Sequence, residues 1–234
     1  MPLLLGLLAP PACAACRSPV PERAGPLCAD CLGRLPWLRG HRCPRCALPR
    51  HRSGCPAAGA AFDRAWAPLA YEATARELVA ALKFRAALPV AGLMAAQMAA
   101  NLPVDLRGPP PPGNTIRPAA PLPALVPVPP HAGRRRRRGF DPAALLAAAL
   151  ADRAGLPLAP CLRRSDRGRR QVGAGRVLRR SAGRFAAVAT AAPPPAAVLV
   201  DDVHTTGATL DACARALKDG GARWVGVITY VRTL

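Results

Sequence analysis

The sequence predicts an α/β protein in which a parallel, helix-covered sheet follows a small cysteine-rich module. From Phe62 onward, apolar runs of strand length alternate with helical patterns, the mark of a parallel sheet. Before that point no helical or strand period is sustained, yet seven of the nine cysteines crowd into the first 55 residues, mostly as CxxC pairs. The 234 residues exceed the usual size of one domain, roughly 100 to 150 residues. A module over residues 1–59 and a core-bearing domain over 60–234 is the natural division.

The module is rich in Cys, Pro and Arg and needs a staple, because so short an irregular segment cannot bury enough apolar surface. Cys13, Cys16, Cys28 and Cys31 read CxxC, eleven residues, CxxC. Two tight turns so spaced present four thiolates to a tetrahedral zinc ion. A redox dithiol would sit in a thioredoxin-like strand and helix, a pattern missing around these pairs. Cys43 and Cys46 open a second set of turns, but only Cys55 follows, and position 58 is Ala. His51 or His41 can supply a fourth ligand there, the alternative being a solvated loop histidine. Cys161 and Cys213 lie in apolar patterns and read as packing residues.

Cysteines used as metal ligands suit a reducing cytoplasm. The apolar opening LLLGLLAPPAC has no Lys or Arg before it, and Cys13 already belongs to a CxxC pair, so an export signal is not expected. No stretch reaches the roughly 20 apolar residues of a membrane span.

Within the larger domain, RAWAPLAY reads as a strand. ATARELVAALKF reads as a helix with Leu78, Val79, Leu82 and Phe84 on or near one face. Residues 103–123 are too proline-rich for regular structure and read as a surface connection. ALVPVPP is a short buried strand. DPAALLAAALADRAG is a helix with Asp141 as cap, Pro142 at its first position and Gly155 closing it. A basic loop from Arg163 to Arg184 precedes the strand AAVLVDD, the helix TLDACARALKDGG and the strand WVGVITYV. Beyond the CxxC pairs there is no internal repeat.

The segment VLVDDVHTTGATL, Val198 to Leu210, carries the chemistry. An apolar strand runs into two acids, then into small hydroxylated residues and glycine, then into a helix. Backbone N–H groups near Thr205, Thr206 and Gly207, backed by a helix N-terminus, can receive a phosphate, and the threonine hydroxyls add donors. Asp201 and Asp202 sit where the strand is expected to end, the place where ligands dock on open parallel sheets, and can accept from ribose hydroxyls. Taken singly, paired acids at a strand end and a threonine cap are ordinary. Together they resemble the phosphoribosyl-pyrophosphate motif of type I phosphoribosyltransferases, which have a Rossmann-like parallel sheet. That resemblance implies that Asp201 and Asp202 hold the ribose 2- and 3-hydroxyls, and Thr205, Thr206, Gly207 and Thr209 the 5-phosphate. His204 fills a variable position and reads as a loop residue.

The whole chain resembles the ComF family, a double zinc ribbon joined to a phosphoribosyltransferase domain and linked to DNA uptake in competent bacteria. LLGLLAPPACAAC, LCADCLGRLP and RCPRCALP resemble its first module. FDRAWAPLAYEATARELVAALKFR, LVPVPPHAGRRRRRGFDPAALLAAALADRAGLPL and VLVDDVHTTGATLDACARALKDGGA resemble its second. The resemblance implies that the turn after VPVP, with His131, Arg138, Gly139 and Phe140, receives pyrophosphate, and Arg134 to Arg138 offer five guanidinium groups for its charge. It further implies zinc in the ribbons and magnesium with phosphoribosyl pyrophosphate as ligand.

There are departures. Asp141 stands where Asn is usual, and Gly168, Arg169 and Arg170 replace the Thr and Pro expected before Gln171, in a region resembling the hood loop of transferases. These touch catalysis more than binding.

The formal charge of +20, from 33 Lys and Arg against 13 Asp and Glu, favours phosphorylated or polyanionic partners, single-stranded DNA among them, and the family resemblance adds the DNA-uptake machinery as an implied partner. Three Trp, two Tyr and four Phe are few for a base-stacking platform, so phosphate contact is the expected mode. Two alternatives stand beside a ComF-like phosphoribosyl-pyrophosphate binder. One is a nucleobase salvage transferase, and the other a non-catalytic DNA-binding competence factor.

Overall fold

The computed structural model describes residues 11–21, 25–51, 53–103, 106, 122–130, 132–165 and 186–234. The expected connection over 103–123, His131, and the stretch from Gly168 to Gln171 lie largely or wholly outside them.

Two nine-residue strands, β6 (Ala196–His204) and β7 (Trp224–Arg232), form the centre of the sheet because their sequences are apolar enough to be covered on both faces. They pair in parallel from Ala196↔Trp224 to His204↔Arg232. β3 (Ala124–Pro127) joins β6 on one side, and β1 (Arg64–Trp66) and β2 (Leu69–Ala70) join β7 on the other, all in parallel. The expected single strand RAWAPLAY is thus two. Its register on β7 is the same before and after the break, which falls at Ala67 and Pro68, where proline has no N–H for the ladder. A two-stranded antiparallel ribbon, β4 (Leu162–Arg164) with β5 (Ala187–Ala189), stands apart and takes the first residues of the expected basic loop.

Alternate residues of the central strands enter opposite cores. Val198, Val200, Ile228 and Tyr230 pack with α2 (Ala73–Arg85), α3 (Pro89–Ala100) and α5 (Pro142–Ala154). Ala197, Leu199, Val225 and Val227 pack with α6 (Ala208–Asp219). In α5 the Asp141 carboxylate caps the helix, accepting from the Ala143 and Ala144 N–H groups, and Gly155 closes it at a φ of 64°. Helix α3 has no polar face to mark its period. It is buried along Val90, Met94 and Met98, and its Gln97 side chain accepts the Tyr230 hydroxyl at 2.7 Å. Along α2, Leu78, Val79 and Leu82 are buried as expected, but Phe84 is 74% exposed. It falls about 120° or more around the helix from Leu78, Val79 and Leu82, on the solvent side.

The cysteine-rich module, with its short helix α1 (Ala29–Gly33), packs against both cores. Cys13, Val20, Leu27, Cys31 and Leu35 join the α2–α3 side, whereas Cys46, Ala47 and Ala57 join the α6 side. Between them, Pro36 to Leu38 run along the outer edge of the sheet. The Leu38 N–H donates to the Pro68 carbonyl and the Ala70 N–H to the Pro36 carbonyl, both at 2.9 Å. The Ala65 N–H donates to the Pro44 carbonyl at 2.8 Å.

Candidate phosphate-binding cleft and metal centres

A cleft of about 1020 Å³ opens at the carboxyl ends of β3 and β6. Crevices form there because a parallel sheet sends its connections to opposite faces at neighbouring strands. Of the residues expected to bind, Asp201, Asp202, Thr205, Thr209 and Arg138 line this cleft together. Thr206 and Gly207 complete the loop between them but are not in its lining. The arginine run forms a short helix, α4 (Ala132–Arg138), rather than a turn, with Arg138 as its last residue. The Arg138 guanidinium lies 5.0 Å from the centre of the Phe84 ring.

The strand runs past the two acids to His204 instead of ending at them, because Val203 and His204 still pair with Val231 and Arg232. The turn comes at Thr205 to Gly207. Gly207 has a φ of 81°, and a Cβ there would lie 2.9 Å from the His204 Nε2, so conformation and space both demand glycine. His204 is a correction to the expected loop residue: it is 1% exposed, edge-on to Phe62, and sits beneath the loop. Burial, with the positive Arg232 nearby, lowers its pKa to about 4, so the imidazole is neutral at physiological pH.

Asp202 is buried and pairs with Lys83 at 2.7 Å. Its N–H donates to the Asp201 carboxylate at 2.8 Å. Burial, and then the charge of Asp202, hold the Asp201 carboxyl well above the ordinary carboxylate range. Two neighbouring carboxyls, one already paired to a cation, can accept hydroxyl hydrogens or share a divalent ion.

Lys83 and Arg232 were missed in the sequence. Lys83 looks like any cation in the last turn of a helix. Arg232 did carry a signal, being the only charge in a nine-residue strand that is otherwise uncharged and almost wholly buried.

In the module, Cys13, Cys16, Cys28 and Cys31 bring their sulfurs together, all within 4.8 Å of one another. The first turn is tied by the Cys13 N–H to the Ser18 carbonyl at 2.8 Å and the Arg17 N–H to the Cys13 carbonyl at 2.9 Å, with Arg17 at a φ of 67°. The second repeats it: Cys43 N–H to Leu48 carbonyl at 2.8 Å, Ala47 N–H to Cys43 carbonyl at 2.9 Å, and Ala47 at 61°. This repeat extends beyond the CxxC pairs that were legible in sequence.

Cys43, Cys46, His51 and Cys55 form the second cluster, so His51 and not His41 joins the three cysteines. The Cys16–Cys28 and Cys43–Cys55 sulfurs are each 3.7 Å apart. A tetrahedron with zinc–sulfur bonds of about 2.3 Å has an edge of ~3.8 Å, so both clusters fit zinc. Burial and the neighbouring thiols push the Cys31 and Cys46 thiols up to about 12, and a bound dication would relieve that crowding of charge.

Residues 4–63 match the double zinc ribbon domain family. No curated protein matches the chain. The double zinc ribbon therefore holds one set of four cysteines and one set of three cysteines with a histidine, which differ in formal charge by one unit once metal is bound.

Two further polar ties join the end of the second ribbon to the helix beside the cleft. The Asp211 carboxylate accepts the Ala61 N–H at 2.7 Å, and the Arg215 guanidinium, paired with Asp211, donates to the Gly59 carbonyl at 3.4 Å. No helix among the described residues is long and apolar enough to cross a membrane.

Proposed function

We propose that this chain is a ComF-like protein of the type I phosphoribosyltransferase fold that binds magnesium phosphoribosyl pyrophosphate and acts in the cytoplasm in DNA uptake. One observation carries the reading. Asp201, Asp202, Thr205, Thr209 and Arg138, chosen from sequence for separate parts of one ligand, line a single cleft at the carboxyl ends of parallel strands.

In this reading the 205–207 loop and the start of α6 receive the 5-phosphate, through backbone N–H groups and threonine hydroxyls. Asp201 and Asp202 accept from the ribose hydroxyls. Arg138 faces the diphosphate, and Lys83 releases Asp202 when the ribose arrives. Magnesium, when bound, neutralises diphosphate charge. If a transfer reaction follows, a nucleophile displaces pyrophosphate at the anomeric carbon, and the two acids steady the positive charge that develops there. The cysteine-rich residues 1–59 form the zinc module and 60–234 the ligand-binding domain.

A salvage transferase would act through the same cleft. It would show turnover with one nucleobase. DNA binding draws support from the net charge of +20.

The test is thermal denaturation of the zinc-loaded chain with magnesium phosphoribosyl pyrophosphate, with pyrophosphate and with ribose 5-phosphate. A ligand at 100 times its dissociation constant adds about 2.7 kcal/mol, a readily measured rise in melting temperature. The expected order is the full ligand above either half. No shift with any of the three would sink the proposal.

A further inference from the structure

The second ribbon and the 205–207 loop share one buried side chain. Arg232 is 4% exposed. Its Nε donates to the Cys46 carbonyl at 2.8 Å, and its Nη1 to the carbonyls of His204 at 2.9 Å, Thr205 at 2.6 Å and Thr233 at 2.7 Å. One guanidinium therefore clamps the backbone of Cys46, in the second cysteine cluster, together with His204, just before the loop, and Thr205, its first residue. A planar cation satisfied by carbonyls in a packed interior has little freedom to follow one of them without pulling on the others.

A second tie runs beside it. The loop after Cys55 is gathered by Arg45, which donates to the Ala57 and Ala60 carbonyls at 3.1 and 2.9 Å, and is fixed to α6 through Ala61 and Asp211. The first ribbon is anchored elsewhere, by the Arg85 side chain at the end of α2 donating to the Ala14 carbonyl.

We infer that Arg232 is a positioning residue that transmits metal occupancy of the Cys43–Cys46–His51–Cys55 cluster to the 205–207 loop, so that the metal-loaded ribbon holds the loop in its anion-binding geometry. The inference rests on the proposed reading of that loop as a phosphate site. Linkage makes the effect reciprocal: magnesium phosphoribosyl pyrophosphate tightens metal binding at the second cluster and leaves the affinity of the first unaffected.

The experiment compares the full-length zinc-loaded chain with His51→Ala, Cys43→Ser, Arg232→Met and Cys13→Ser. It reads zinc content, hydrogen–deuterium exchange over residues 203–210, and affinity for magnesium phosphoribosyl pyrophosphate. In His51→Ala and Cys43→Ser one zinc is lost, exchange over 203–210 rises about tenfold, and affinity falls about tenfold. Arg232→Met reproduces both loop effects with both zinc ions retained, which a merely structural loss would not do.

Cys13→Ser, read well below its lowered melting temperature so that exchange reports local opening, keeps wild-type exchange over 203–210. If Arg232→Met does not fold, Arg232→Lys, which keeps the charge but reaches fewer carbonyls, gives a smaller rise. Unchanged exchange in the second-cluster variants or in the Arg232 variant overturns the inference. An equal rise in Cys13→Ser does so too, as does retention of both zinc ions in His51→Ala and Cys43→Ser alike. Lack of any ligand affinity in the wild type would instead defeat the proposed function, with the exchange data still deciding the role of Arg232.

Discussion

The two zinc ribbons are built on the same turn and used differently. The first, with four cysteines, sinks Cys13, Val20, Leu27, Cys31 and Leu35 into the larger core beside α2 and α3. The second, with three cysteines and His51, buries fewer apolar side chains but sends polar contacts to the loop and helix that border the cleft. On the proposed reading, the first metal site acts chiefly on stability and the second chiefly on the shape of the cleft. The difference follows from which face of the sheet each ribbon meets.

The largest expected effect sharpens that contrast. Cys13→Ser removes a buried ligand and loosens the other four core side chains of that ribbon, and should lower unfolding stability by on the order of 5 kcal/mol in a chemical denaturation curve. Cys43→Ser should cost clearly less. Equal losses would erase the distinction between the ribbons.

A smaller effect isolates the loop from either metal. Gly207→Ala meets a φ of 81° and the His204 ring together, and should cost about 2 kcal/mol while leaving zinc content unchanged. Magnesium phosphoribosyl pyrophosphate should then give little or no thermal shift. A full shift would show that the loop does not depend on its tight seat over His204.

The smallest effect concerns Asp201. Because its carboxyl is held above the ordinary range when folded, the folded state binds more protons than the unfolded one between the two pKa values. Stability therefore falls as pH rises through that window, and the full cost remains above it. Asp201→Asn should raise the melting temperature of the ligand-free protein near neutral pH, with no gain in acid below the ordinary carboxylate value. The wild type should lose affinity for the magnesium ligand on acidification, at a higher pH than an ordinary carboxylate would. The variant should lack that dependence. A variant no more stable than wild type at neutral pH would contradict the assignment.

Local chemistry was legible in the sequence. CxxC spacing located the first metal cluster, and the order of strand, acids, threonines, glycine and helix located the loop, because each depends on neighbours within a dozen residues. What was not legible depends on the third dimension. His51 and His41 look alike until the turn after Cys46 brings one back to the sulfurs. Lys83 joins the cleft only because the last turn of α2 comes close enough to β6 for its ammonium to reach Asp202. Phe84 was assigned to a buried face by its character, whereas its angle on the helix sends it outward. Helix α3 escaped notice because it is apolar on most sides, and periodicity needs contrast to be seen.

The segment Pro36 to Leu38 has a consequence for the protein in solution. It fills hydrogen bonds along β2 that would otherwise stay open at the rim of the sheet, and it lies in the chain between the two ribbons. An uncovered edge strand is a template for other chains. Loss of metal from zinc-loaded ribbons would bare that edge as well as loosen them, so self-association on adding a chelator is the expected outcome, read by light scattering.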